Sequence, residues 1–202
     1  MGKGLLFVVS GPSGTGKGTI CKALLARTNV SLSVSMTTRE ARQGEVDGLN
    51  YYFVSRKEFQ DIIDHDGFME YAEVYGNYYG TPRDAVFSML ERGRDVVLEI
   101  DIQGALKIKE VYDKGIFIFI LPPSMTELRK RITGRGSESQ DDIDIRLGEA
   151  YKEVSYIDKY DYCVINDEVD TAVEKIIAIM TAEHSRVSED IYSLIENYKE
   201  EL

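Results

Sequence analysis

Leu5-Leu6-Phe7-Val8-Val9-Ser10-Gly11-Pro12-Ser13-Gly14-Thr15-Gly16-Lys17-Gly18-Thr19 is the stretch that decides the fold. Leu5–Val9 is short, apolar and uninterrupted, which is how a strand buried on both faces of a parallel sheet reads. A glycine-rich turn follows over Gly11–Gly18, and then a helical period of apolar residues through Ile20, Leu24 and Leu25. Strand, glycine loop, lysine and helix start in that order form a phosphate cradle. Glycines let successive backbone N–H groups face inward, and the helix N-terminus adds partial positive charge. Lys17 supplies a full charge for the outer phosphates. A plain glycine turn would leave the lysine and the helix start unexplained. The residue after the lysine is Gly18, where phosphate loops usually carry a hydroxyl, and the hydroxyl comes one place later at Thr19. A direct bond from the loop to a Mg²⁺ ion is therefore not expected, and such an ion is expected on the phosphates of the nucleotide and on water. The loop alone indicates only a protein that uses a nucleoside triphosphate.

Outward from this unit the alternation repeats. Asp95–Ile100 and Gly115–Leu121 read as buried strands and Tyr162–Ile165 as a short one, with helices around Ala105–Val111 and Thr171–Ala182. Pro122-Pro123 stops the third strand, and Ser124 with Glu127 offers a capping box. Strands separated by helices predict an α/β fold with a parallel sheet. Residues 31–81 break the pattern, with short alternating stretches at Ser33–Met36 and Phe68–Val74 and many tyrosines. Ser55 and Glu58 cap a short helix there, Asn77 marks a turn, and Pro82 is expected at the first position of another helix. The organisation expected is one domain over 1–202. Its three-layer core comprises 4–33, 82–133 and 147–185, with a small α+β insertion over 34–81. A mobile polar lid over 134–146 and a helical tail over 186–202, packed on the domain or on another subunit, complete it.

The chain has 202 residues, 43% of them hydrophobic, enough for a core. Its net charge is −11, without the basic surplus of a nucleic-acid binder. Any phosphate must then be held by a local cluster of cations and N–H groups. Cys21 and Cys163 make neither a disulfide framework nor a zinc motif, and His65 and His184 stand alone. The apolar run Leu5–Val9 is too short for a signal or membrane segment, so a cytoplasmic protein with no membrane association is expected.

A second group of polar residues lies downstream. Arg39 and Arg42 sit in the loop Ser35–Arg42, where two guanidinium forks could grip one phosphate, or could equally belong to a solvated loop. Tyr51, Tyr52, Tyr78 and Tyr79 flank them. Glu70 falls in the alternating stretch FMEYAEV, whose polar face would ordinarily meet solvent. Glu99 and Asp101 close a buried strand at its C-terminal end, where α/β proteins bind ligands.

The strings SGPSGTGKGT, SVSMTTREARQGEVDGLNYYFVS, GNYYGTP, LEIDIQGA, GRGSES and VIND together resemble the guanylate kinase family over residues 4–182. The resemblance implies transfer of the γ-phosphoryl group of ATP to GMP or dGMP, with Mg²⁺ accompanying ATP. It puts Gly11, Pro12, Ser13, Gly14, Thr15, Gly16, Lys17, Gly18 and Thr19 around the ATP phosphates, and Asn166 and Asp167 on the adenine side. It puts Arg39, Arg42, Tyr51 and Tyr79 on the GMP phosphate, and Ser35, Glu70, Thr81 and Asp101 on or beside guanine. Glu99 stands at a GMP-side position where a shorter Asp also occurs in the family. Arg135 and Arg146 correspond to lid arginines that act in catalysis with Lys17 and Arg42, and Thr19 or Asp101 could reach the metal through water.

The chemistry of guanine agrees with this. Its N1–H and N2–H₂ are adjacent donors that one carboxylate can accept together, whereas adenine turns an acceptor toward it. A kinase for another nucleoside monophosphate fits Ser35, Glu70 and Thr81 poorly. A guanylate-kinase-like interaction module would lack the complete loop through Lys17, and a regulatory GTPase would need an Asn-Lys-x-Asp string that is absent. Whether the protein is a monomer or a homo-oligomer stays open.

Overall fold

The structure is a computed structural model that describes residues 3–74, 76–133, 140–187 and 189–200. The main sheet has five parallel strands: β1 (Leu6–Ser10), β2 (Ser31–Leu32), β7 (Val96–Glu99), β8 (Ile116–Leu121) and β9 (Tyr162–Ile165), in the order β2-β7-β1-β8-β9. Central β1 pairs Val9 with Glu99 on one side and with Ile118 on the other. This register brings the carboxylate end of β7 beside the start of the glycine loop.

Every residue of β1 is buried, as its unbroken apolar run predicts. Alternate side chains feed two cores. Phe7 and Val9 pack with Ile20 and Leu24 of α1 (Lys17–Arg27) and with Val173 and Ile176 of α7 (Val169–His184). Leu6 and Val8 face the other way, onto Val86 and Leu90 of α3 (Arg83–Glu91) and onto Ala105 and Ile108 of α4 (Ile102–Val111). Helices on both faces of a parallel sheet make the expected α/β three-layer core.

A second sheet, in the order β4-β3-β6-β5, is built from β3 (Met36–Thr37), β4 (Tyr52–Phe53), β5 (Phe68–Val74) and β6 (Asn77–Pro82). The helix α2 (Arg56–Asp64) carries the capping box read from Ser55 and Glu58. Phe59 of α2 stacks between Phe68 and Tyr78, with ring centroids 4.4 and 5.4 Å away. Met69 of β5 enters the core under α3 and α4, which ties this sheet to the main domain.

Several local expectations are corrected. Ser33–Met36 is not one strand: Ser31–Leu32 pairs with β7 and Met36–Thr37 with β6, so the chain changes sheet between them. Asn77 does not turn the chain but opens β6 opposite Val74. Pro82 ends β6 and is the N-cap of α3 rather than its first helical residue. Its ring fixes φ, and its missing N–H costs nothing at a helix start.

Helices α5 (Met125–Thr133) and α6 (Gln140–Val154) pack through Leu128, Ile132, Ile143, Leu147 and Ala150. The part of the polar stretch beginning at Gln140 is thus helical. Gly134, Arg135 and Gly136 lie outside the described residues. A short 3₁₀ turn, Ser155–Lys159, leads into β9. The tail forms α8 (Glu189–Glu200), but Ile191, Tyr192, Ile195 and Tyr198 are exposed rather than packed on the domain. Among the described residues, no helix is long and apolar enough to cross a membrane.

Candidate active site

The glycine loop turns through positive φ at Gly11, Gly14 and Gly16. Gly16 has φ 91°, and a Cβ there would lie 2.5 Å from Nδ2 of Asn166, so any other residue would be strained and would displace that amide. Lys17 Nζ donates to the carbonyls of Gly11 and Pro12 at 2.5 and 3.1 Å. Burial lowers the Lys17 pKa, while Glu99, Glu153 and Asp101 act to raise it. Thr15 is fully buried and donates its hydroxyl to Pro12 O at 2.9 Å.

Asn166 is the outer brace of this loop. It follows β9, is 3% exposed, and donates Nδ2 to Thr15 O at 2.7 Å. Its own carbonyl accepts from Arg131 at 3.1 Å, and Arg131 is paired to Glu127 one helical turn earlier. Asp167, next in sequence, is exposed. Arg146 of α6 donates to Ser13 Oγ at 2.9 Å. Glu153, two turns further along α6, faces the Ser13 N–H and Lys17; burial raises its carboxyl pKa and Lys17 opposes the rise. Thr19 is exposed at the start of α1.

Beside the loop opens a cleft of about 370 Å³. Lys17, Ser35, Arg42, Tyr51, Glu70, Tyr79, Glu99 and Asp101 all line it, although 84 positions of sequence separate Lys17 from Asp101. The core supplies Lys17, Glu99 and Asp101, and the second sheet with its loops supplies the rest. Strand β5 has a bulge between Phe68 and Glu70. Beyond the bulge Glu70, Ala72 and Val74 line the cleft, and Tyr71 and Glu73 point outward. Glu70 is 9% exposed, and Thr81 donates to its Oε1 at 2.8 Å. Burial pushes the Glu70 carboxyl up to about 7, against the Thr81 hydrogen bond that acts to lower it. Thr81 itself is fully buried behind Glu70.

Asp101 caps α4, accepting the Gly104 N–H at 2.7 Å. Arg39 lies against the cleft wall. Its guanidinium is 5.6 Å from the Tyr51 ring centroid and pairs with Glu45 at 2.9 Å, and Glu45 also accepts the Arg42 N–H at 2.7 Å. Of the arginines expected together, Arg42 reaches the cleft directly and Arg39 supports its tyrosine wall. Glu99 is open to solvent on the cleft side, yet partial burial still raises its carboxyl pKa while Lys17 lowers it.

Sequence reading missed Gly104, Arg131 and Glu153. A Cβ on Gly104 would lie 3.1 Å from Glu70 Oε2, so this glycine lets α4 approach the buried carboxylate. Arg131 carried only a local signal, its spacing of one helical turn from Glu127. Glu153 carried none, because its relation to Ser13 and Lys17 depends on how α6 docks.

A phosphate loop and a buried carboxylate that open on one cleft of a doubly covered parallel sheet define a phosphate-loop nucleotide kinase. The family model described as guanylate kinase matches residues 3–183. The guanylate kinase of Clostridium tetani is 59% identical, covering 93% of this chain and 90% of that one. That of Clostridium acetobutylicum is 60% identical, covering 92% and 88%. A crystal structure of guanylate kinase from Anaplasma phagocytophilum superposes with a TM-score of 0.77 at 37% identity, covering 92% of this chain and 89% of that one. The chain belongs to the guanylate kinase family.

Proposed function

We propose that this cleft moves the γ-phosphoryl group of ATP to GMP, with the donor on the glycine loop and the acceptor between the two sheets. The observation that carries the residue assignment is Glu70. A carboxylate 9% exposed, held by Thr81 and opening on the same cleft as Lys17 and Arg42, matches the paired donors of guanine. Ser35 and Asp101 sit at the base end in this reading, and Arg42, Tyr51 and Tyr79 at the acceptor phosphate. Arg39, whose guanidinium lies against Tyr51 and bonds Tyr79, is the second cation for that phosphate.

Phosphoryl transfer asks the protein for positioning and charge neutralisation rather than covalent chemistry. Lys17 leaves the Gly11 and Pro12 carbonyls to meet the donor phosphates. Arg42 lines the same cleft as Lys17 and the acceptor tyrosines and can neutralise charge that develops there. Arg146 already reaches the loop at Ser13, and Arg135 is assigned the same role from the family resemblance. The 134–146 segment would serve as lid over a 34–81 acceptor region. Asn166 braces the loop and, with Asp167, borders the adenine side.

Mg²⁺ would arrive on ATP, where it neutralises phosphate charge. Among the described residues no cluster of three or more metal-ligating side chains forms a protein cage, but Glu99 and Asp101 offer the oxygen donors that hydrated Mg²⁺ accepts. ATP and GMP are the partners this reading needs, and their presence in the cytoplasm makes that the compartment in which the reaction would run.

The test is a nucleotide panel. Purified protein with ATP and Mg²⁺ should convert GMP to GDP far faster than it phosphorylates AMP, CMP or UMP. Equal turnover of AMP would sink the assignment of Glu70. Lys17→Ala should lower turnover severely and leave GMP binding nearly intact; loss of GMP binding would mean that donor and acceptor sites are wrongly divided.

A further inference from the structure

Gly104 is buried in the first turn of α4 and lines the cleft. Glycine is a poor helix former, and the φ of Gly104 is not in the left-handed region that would call for one. The reason for it lies beside it in space. A Cβ built on Gly104 would meet three atoms first: Oε2 of Glu70 at 3.1 Å, Cδ of Glu70 at 3.3 Å and Oδ1 of Asp101 at 3.4 Å. Thr81 fixes the other Glu70 oxygen, donating to Oε1 at 2.8 Å. The buried carboxylate is thus gripped at Oε1 and given its room at Oε2 by a bare Cα. A methyl group at 3.1 Å is closer than such contacts ordinarily come, so Glu70 would have to turn about its bond to Thr81. We infer that Gly104 is a specificity-determining residue for the acceptor base: its missing side chain keeps Glu70 in the orientation that accepts both donors of guanine, and a side chain there turns the carboxylate and loosens the choice.

This inference rests on the reading of Glu70 as the carboxylate that meets guanine. The competing role for Gly104 is plain packing, since Ala105 of α4 and Met69 of β5 share one core. The two roles differ in what alanine does. If packing needs the glycine, alanine weakens the folded chain itself. If the glycine serves Glu70, alanine leaves the fold as stable or more so, because it is the better helix former, and harms only the reading of the base. That harm is uneven. Inosine monophosphate keeps N1–H and lacks the N2 amino group, so one oxygen of a turned carboxylate still serves it. Guanine needs both oxygens at once.

The experiment is steady-state kinetics on the intact protein and its variants, with ATP and each acceptor (GMP or inosine monophosphate) varied in turn, beside melting temperatures without nucleotide. Gly104→Ala should raise the KM for GMP about tenfold and leave kcat and the KM for ATP nearly unchanged. Its kcat/KM for inosine monophosphate should fall by no more than about threefold, so that the preference for GMP narrows. In a Glu70→Gln background the same substitution should cost less than about twofold, because no paired acceptance is left to lose. The melting temperature should hold or rise. An unchanged KM for GMP, equal losses on the two acceptors, or an equal loss with and without the Glu70 carboxylate would overturn the proposal. So would a Gly104→Ala chain that melts well below the parent or fails to fold, because the glycine would then serve packing. A parent protein that used inosine monophosphate as well as GMP would instead remove the base-reading assignment beneath it.

Discussion

Glu70 shows how much of a site can rest on one side chain's surroundings. In FMEYAEV the plain expectation is a solvent-facing glutamate, and the residue is instead 9% exposed. The bulge between Phe68 and Glu70 turns its face of β5 toward the cleft, and Gly104 lets α4 close over it. Burial raises its carboxyl from 4.5 to about 7, so the protonated form is favoured in the folded chain. The stability this group contributes is therefore full below about 4.5 and lost as pH rises through about 7. Guanine binding has the opposite sign, because its donors need the ionised carboxylate. GMP affinity should rise with pH and level off above about 7, falling toward tenfold per unit below it. The phosphate of GMP also titrates near pH ~6. Glu70→Gln should keep that component, lose the rest and relax base discrimination. Titrations of both proteins between pH 5.5 and 8.5, roughly spanning these ionisations, would check this, and matching profiles would exclude Glu70 as the titrating group.

At the scale of elements, the loop is held from outside by the end of β9. Removing the Asn166 amide from Thr15 O should cost about one hydrogen bond, or about 1–1.5 kcal/mol. Asn166→Ala is accordingly expected to raise the KM for ATP about five- to tenfold, with the KM for GMP nearly unchanged. Gly16→Ala is expected to do far more, because its Cβ would meet Asn166 Nδ2 at 2.5 Å and its φ of 91° is strained for alanine. Steady-state kinetics with each substrate varied in turn separates these effects; equal changes in both KM values would show that the brace supports the whole cleft. Elements were legible in sequence where the pattern was long and apolar, as in β1, β7 and β8. They were not legible at Ser31–Thr37, where strands of two residues each join different sheets. No periodicity can reside in so few residues, and pairing partners alone define them.

At the scale of the whole molecule, Phe117 sits at the centre of the α3–α4 core and is 1% exposed. Phe117→Ala should cost about 3–5 kcal/mol, from lost burial and the cavity left behind. In a chain of this size that lowers the melting temperature by about 6–20 °C. Nucleotide specificity should survive in the folded fraction, because Phe117 does not line the cleft. Thermal denaturation with and without GMP would check both expectations, and a changed base preference would show that this core sets the cleft's shape.

The sequence by itself determined the α/β core, the phosphate loop and the family, because each is written in residues adjacent along the chain: an unbroken apolar strand, spaced glycines, a lysine and a helix start. Only the tertiary structure decided that Glu70 is buried, that Arg39 backs Tyr51 while Arg42 lines the cleft, and that Glu99 fills the space beside Gly18. The physical reason is the same in each case. Burial, pKa and charge neighbours depend on atoms brought within a few ångströms by sheet register and helix docking. Those contacts cross 81 positions of sequence between Gly18 and Glu99, and local patterns carry no record of them.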